Sequence, residues 1–131
     1  METNFEKLKD FFKEKEDVRM AFLFGSEAAG RPIAESDVDV AVWFGTKYSI
    51  EDISRLQGEI EDLLHRPVDL VVLNQANPTI AWAAMRGKQL IIRDYRLFIA
   101  KLLEISTEAE DIQDFVIDLF KLREKARAMN A

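Results

Sequence analysis

The chain has 131 residues, enough for one domain to bury most of the surface its unfolded form would expose. Apolar residues make up 48% and charged residues 32%, a globular composition that excludes a disordered or fibrous chain. The net charge of −6 argues against long nucleic acid as a partner, the lack of cysteine excludes disulfide and thiolate chemistry and fits a cytoplasmic setting, and no apolar run approaches the ~20 residues that span a membrane.

Thr3 with Glu6 reads as a capping box for a helix through about Lys15, with Phe5, Leu8, Phe11 and Phe12 as its apolar stripe. Val18 to Phe24 is an apolar run stopped by Gly25, which predicts a buried strand followed by a tight turn. From Ser36 the sequence SDVDVAVWF alternates, placing Asp37, Asp39 and Ala41 on one strand face and Val38, Val40 and Val42 on the other, core face. Ser49 and Asp52 open a second helix carrying Ile53, Leu56, Ile60, Leu63 and Leu64 and ending near His65, which suits the negative end of the helix dipole. Pro67 precedes VDLVVL, a third strand; Asn77 and Pro78 open a short helix stopped by Gly87; Lys88 to Arg93 reads as a fourth strand. Asp94 then caps a helical segment spanning 94–130. The order α-β-β-α-β-α-β-α, with no linker or repeat, predicts a single α/β domain over 1–131.

Chemistry concentrates in Gly25-Ser26, ten intervening residues, Asp37-Val38-Asp39, and Asp69 inside an apolar strand. Two carboxylates two apart on a strand repel by about 4 kcal/mol at ~4 Å and an effective dielectric near 20, so a cation is expected between them. Asp69, flanked by Val68 and Leu70, is expected to be buried, where an unpaired carboxylate is costly and a metal ligand is not. Oxygen donors on strands suit Mg²⁺ shared with phosphates, and a glycine turn leading into a helix suits the phosphates themselves. The lone His65 has no motif linking it to Ser26, so a serine nucleophile is not the reading. Trp43 and Trp82 read as core or rim aromatics.

This Gly-Ser, ten-residue gap, Asp-x-Asp pattern with a third in-strand acid resembles the polymerase β-type nucleotidyltransferases. The resemblance implies a small mixed-sheet, palm-like α/β (α+β) fold with flanking helices. It also implies that Asp37, Asp39 and Asp69 hold a pair of Mg²⁺ ions, that Asp69 helps activate the attacking hydroxyl, and that Gly25 and Ser26 bind the β and γ phosphates of a nucleoside triphosphate. The small size, the GKQL stretch at Gly87 to Leu90 and the long terminal helix look like the MNT antitoxins paired with HEPN ribonuclease toxins. That similarity implies transfer of AMP from ATP to a hydroxyl, a tyrosine, of a cognate HEPN toxin. The chain departs from the family after the serine, with Glu27 and Ala29 where basic residues are common and Arg31 further along.

The length leaves no room for a separate acceptor-binding domain, so the acceptor is expected to bring its own surface. Phe98, Leu102, Ile105, Ala109, Ile112, Val116 and Leu119 keep a heptad phase, and Ile99, Leu103 and Phe115 widen the stripe, which reads either as an ordinary core helix or as a surface that docks the toxin through the C-terminal helix. Two other readings are transfer to a small molecule such as an aminoglycoside, and an antitoxin that acts by occlusion without catalysis.

Overall fold

Side chains that satisfy free backbone groups set the helix boundaries in the computed structural model, which describes residues 2–25 and 37–106 and two single helical positions at 121 and 125. The elements keep the expected order: α1 (Asn4–Lys13), β1 (Val18–Phe24), β2 (Val38–Phe44), α2 (Ile50–Leu64), β3 (Val68–Val72), α3 (Pro78–Met85), β4 (Lys88–Ile92) and α4 (Tyr95–Ser106). At the start of α1 the Glu6 N–H donates to Thr3 Oγ1 at 3.1 Å and the Thr3 N–H donates back to the Glu6 carboxylate at 3.4 Å. Ser49 and Asp52 repeat this reciprocal cap on α2, and the Ser49 backbone N–H at 2.8 Å holds the Asp52 carboxyl below its ordinary range. Asn77 caps α3 through the Ile80 N–H at 2.9 Å, with Pro78 in the first turn.

Helix α1 stops two residues short of the expected Lys15, and an arginine gathers the carbonyls around its end. Arg93, just past β4, donates from Nη2 to the carbonyls of Phe12 (2.6 Å), Lys13 (3.3 Å) and Lys15 (3.2 Å), and from Nε to Val18 (3.0 Å). A cation at a helix C-terminus also complements its dipole.

The strands form one mixed sheet in the order β3-β2-β1-β4, with β2 and β3 parallel and the other neighbours antiparallel. Helices cover both faces. On one, α1 and α2 bury Leu8, Phe12, Leu56, Ile60 and Leu64 against Val38, Val40, Val42, Val68 and Val72. On the other, α3 and α4 bury Ala81, Ala84, Met85, Phe98, Leu102 and Ile105 against Met20, Phe22 and Ala41. The valine face of β2 is therefore core, as its alternation predicts, and Ala41 on the aspartate face is buried as well. The outer edge of β3 is met by α2: the Val68 N–H donates to Glu61 Oε2 and Gln57 Nε2 donates to the Val68 carbonyl, both at 2.9 Å.

Over its described part the C-terminal helix serves the core. Phe98, Leu102 and Ile105, the first three positions of the expected docking stripe, face the domain's own core, while Tyr95 and Leu103 are 52% and 50% exposed. The remaining stripe positions, including Ile112, Val116 and Leu119, and the extent of a single helix over 94–130 lie outside the described residues. Among the described residues no helix is long and apolar enough to cross a membrane.

His65 ends α2 in the left-handed region, with φ 54° and ψ 39°. A left-handed residue with a Cβ costs about 1–2 kcal/mol, and glycine returns part of that gain through unfolded-chain entropy of about 0.4–1 kcal/mol. Thermal denaturation of His65→Gly is expected to show a net gain of about 0.5–1 kcal/mol; a lower melting temperature would contradict this account.

Candidate active site

The two parallel strands β2 and β3 begin at the same end of the sheet, and their register pairs Asp39 with Asp69. Both side chains fall on the α3–α4 face, because Asp39 alternates with Ala41 and Trp43, and Asp69 with Val71. Paired residues on neighbouring strands lie on the order of 5 Å apart. The helices do not seal this first rung: Asp39 is half-buried and Asp69 exposed, whereas Ala41, two residues further along β2, is fully buried.

Asp69 thus corrects one expectation. Its neighbours Val68 and Leu70 suggest burial, but the strand end leaves the carboxylate in solvent. The desolvation that was expected there falls on Asp39 instead, whose carboxyl is pushed above its ordinary value first by partial burial, then by the charges of Asp69 and Asp37. Asp37 is exposed and precedes β2 rather than belonging to it.

Gly25 completes the described part of the site through a contact the sequence does not announce. The final β1 residue, Phe24, pairs with Asp39 across the antiparallel ladder, and Gly25 comes next with φ +74°. A Cβ at Gly25 would stand 2.2 Å from Asp39 Oδ2. The glycine is required both by the left-handed backbone and by the carboxylate lying against it. Ser26, the other expected phosphate ligand, and Glu27, Ala29 and Arg31 lie outside the described residues.

The pattern of the family described as polymerase beta, nucleotidyltransferase, matches residues 6–96, from α1 through the start of α4. The chain belongs to the polymerase β nucleotidyltransferase family. A curated relative from Methanocaldococcus jannaschii, named "Putative protein adenylyltransferase", is 36% identical over 66 residues, which are 50% of this nucleotidyltransferase and 71% of the relative. Among solved structures, a chain of a toxin–antitoxin complex with AMP-PNP aligns with a TM-score of 0.68 at 23% identity, covering 90% of this chain and 99% of that one. A chain from a complex of a tri-AMPylated Shewanella oneidensis HEPN toxin with an MNT antitoxin aligns with a TM-score of 0.58 at 24% identity, covering 87% and 96%. These two likenesses show the fold.

For this nucleotidyltransferase the donor chemistry fits a hard divalent cation, since the charges of Asp69 and Asp37 act on an Asp39 whose own charge is unfavourable as it stands. Among the described residues, however, no three acidic, histidine or cysteine side chains are gathered closely enough to hold a metal ion. The two observations are compatible, because charges influence one another over longer distances than metal–oxygen bonds span. Closing the set around an ion requires Asp37 and Asp69 to turn toward Asp39, which their exposure allows.

The raised Asp39 value fixes a sign. The folded state holds this proton more tightly than the unfolded chain, so the carboxylate costs stability above its raised value and the cost vanishes below the ordinary carboxylate range. Asp39→Asn is therefore expected to raise the melting temperature at pH 7, with the gain disappearing below the ordinary carboxylate range in thermal scans across pH. A variant less stable than the parent at pH 7 would contradict this.

Proposed function

We propose that this nucleotidyltransferase moves AMP from ATP, with Mg²⁺, onto a tyrosine hydroxyl of a HEPN-type toxin and thereby acts as its antitoxin. The observation that carries this reading is the Asp39–Asp69 register pair with Gly25 packed onto Asp39, in a chain of the polymerase β nucleotidyltransferase family. Support for the acceptor comes from the relatives: one is named a protein adenylyltransferase, and one solved complex contains an AMPylated HEPN toxin with an MNT antitoxin. Support for the nucleotide comes from the complex with AMP-PNP.

In this reading Asp37, Asp39 and Asp69 hold the ions and Gly25 and Ser26 receive the β and γ phosphates. Bound there, Mg²⁺ would neutralise phosphate charge and the charge developing on the leaving oxygen. Asp69, the more open of the rung's two carboxylates, faces the incoming acceptor and takes part in removing its proton. The acceptor oxygen forms a bond to the α phosphorus in line with the bond to pyrophosphate, which breaks as pyrophosphate leaves. The acceptor docks through the C-terminal segment, of which the described part offers Tyr95 and Leu103.

Incubating the co-purified toxin with MgATP should add the mass of one or more AMP units to the toxin, and none with Asp37→Asn/Asp39→Asn. A parent protein that binds the toxin yet never adds this mass would favour neutralisation by occlusion. Asp69→Asn should keep MgATP affinity within about threefold in calorimetry while transfer falls by about 100-fold or more. Turnover at the parent rate would remove Asp69 from the mechanism.

A further inference from the structure

Gly87 lies in the turn between α3 and β4, where its N–H donates to the Ala84 carbonyl at 3.0 Å. A Cβ at this position would stand 2.5 Å from the Leu23 carbonyl oxygen, 2.9 Å from Phe24 Cβ and 3.1 Å from the Ala84 carbonyl oxygen. Two of these three atoms are backbone, so a side chain here cannot be accommodated by a rotamer change and must displace the end of β1, the end of α3 or the turn itself. Displacement of β1 would reach the acidic rung directly, since Phe24 pairs with Asp39 and Gly25 lies within touching distance of the Asp39 carboxylate. Lys88, next to Gly87, pairs with Leu23, so the glycine turn is fastened to the same stretch of β1 by the ladder.

We propose that Gly87 is a positioning residue for the nucleotide site, its bare backbone setting the height at which Phe24 and Gly25 stand over Asp39. It touches no reacting group. The close approach of the α3–β4 turn presses the last residues of β1 toward β2, and Gly25 can meet Asp39 only because neither glycine carries a side chain. The consequence for nucleotide binding rests on the reading that the Gly25 turn receives the triphosphate, while the positioning itself does not.

Amide NMR of the nucleotide-free protein separates the two. In Gly87→Ala the Gly25, Phe24 and Asp39 amides should move clearly, whereas Leu56→Ala, which opens a hole in the core on the opposite face, should leave them in place despite its loss of stability. With MgATP, calorimetry below both melting temperatures should show Gly87→Ala binding about tenfold or more weakly and Leu56→Ala binding like the parent. A Gly25 amide unmoved by Gly87→Ala, or an affinity loss matched by Leu56→Ala, overturns the proposal. If the parent itself binds no MgATP, the nucleotidyl-transfer reading fails and the amide shifts alone decide the positioning. Should Gly87→Ala not fold, Gly25→Ala at the exposed strand end tests the same coupling in reverse: the Gly87 and Leu23 amides must move, and their silence overturns it.

Discussion

Like charges brought together at one end of a sheet are tolerated here because apolar packing leaves the strands no other alignment. Asp39 and Asp69 stand opposite one another since Val38, Val40, Val42, Val68 and Val72 fill the α1–α2 face, and a one-residue slip of β3 would turn Val68 and Val72 away from that core and drive Asp69 into it. Burial of each valine contributes about 1.5–3 kcal/mol, which over several residues exceeds the repulsion between two partly solvated carboxylates. The acids are thus held in an electrostatically poor arrangement that a bound cation would relieve. Rigid strands rather than a loop carry them, which limits how far the pair can separate.

Much of this was legible because local rules and tertiary packing agree. Thr3, Ser49 and Asn77 announce helix starts by their side-chain oxygens, and the alternation through SDVDVAVWF assigns the valines to the core. The spacing of Gly25, Asp37, Asp39 and Asp69 brings Gly25, Asp39 and Asp69 to one end of the sheet, with Asp37 just outside the strand. Where the sequence misled, the deciding fact was long-range. Asp69 looks buried from Val68 and Leu70, but solvent reaches it because of where the covering helices end. Phe98, Leu102 and Ile105 read equally as a docking seam or as internal core, and they are core, since periodicity reports that a face is covered and not by what. The end of α1 is held by Arg93, some eighty positions away in the chain, and no local pattern marks that partnership.

Glycine illustrates the same division. Gly25 is readable as a turn, yet part of its necessity comes from a carboxylate on the next strand, and Gly87 reads simply as a helix stop while a side chain there would meet the backbone of β1 first. In both places the missing side chain makes room for another part of the chain.

The arrangement at Val68 bears on how any polypeptide can approach. An edge strand normally offers its outward N–H and carbonyl to a neighbouring chain, the route by which peptides add to sheets and by which folded proteins aggregate. Beside Asp69 that route is closed, because Glu61 and Gln57 occupy the outward-pointing groups of Val68. At Val68 a visiting chain would find no main-chain partner to pair with, so a group brought to the open rung there would have to come on a side chain.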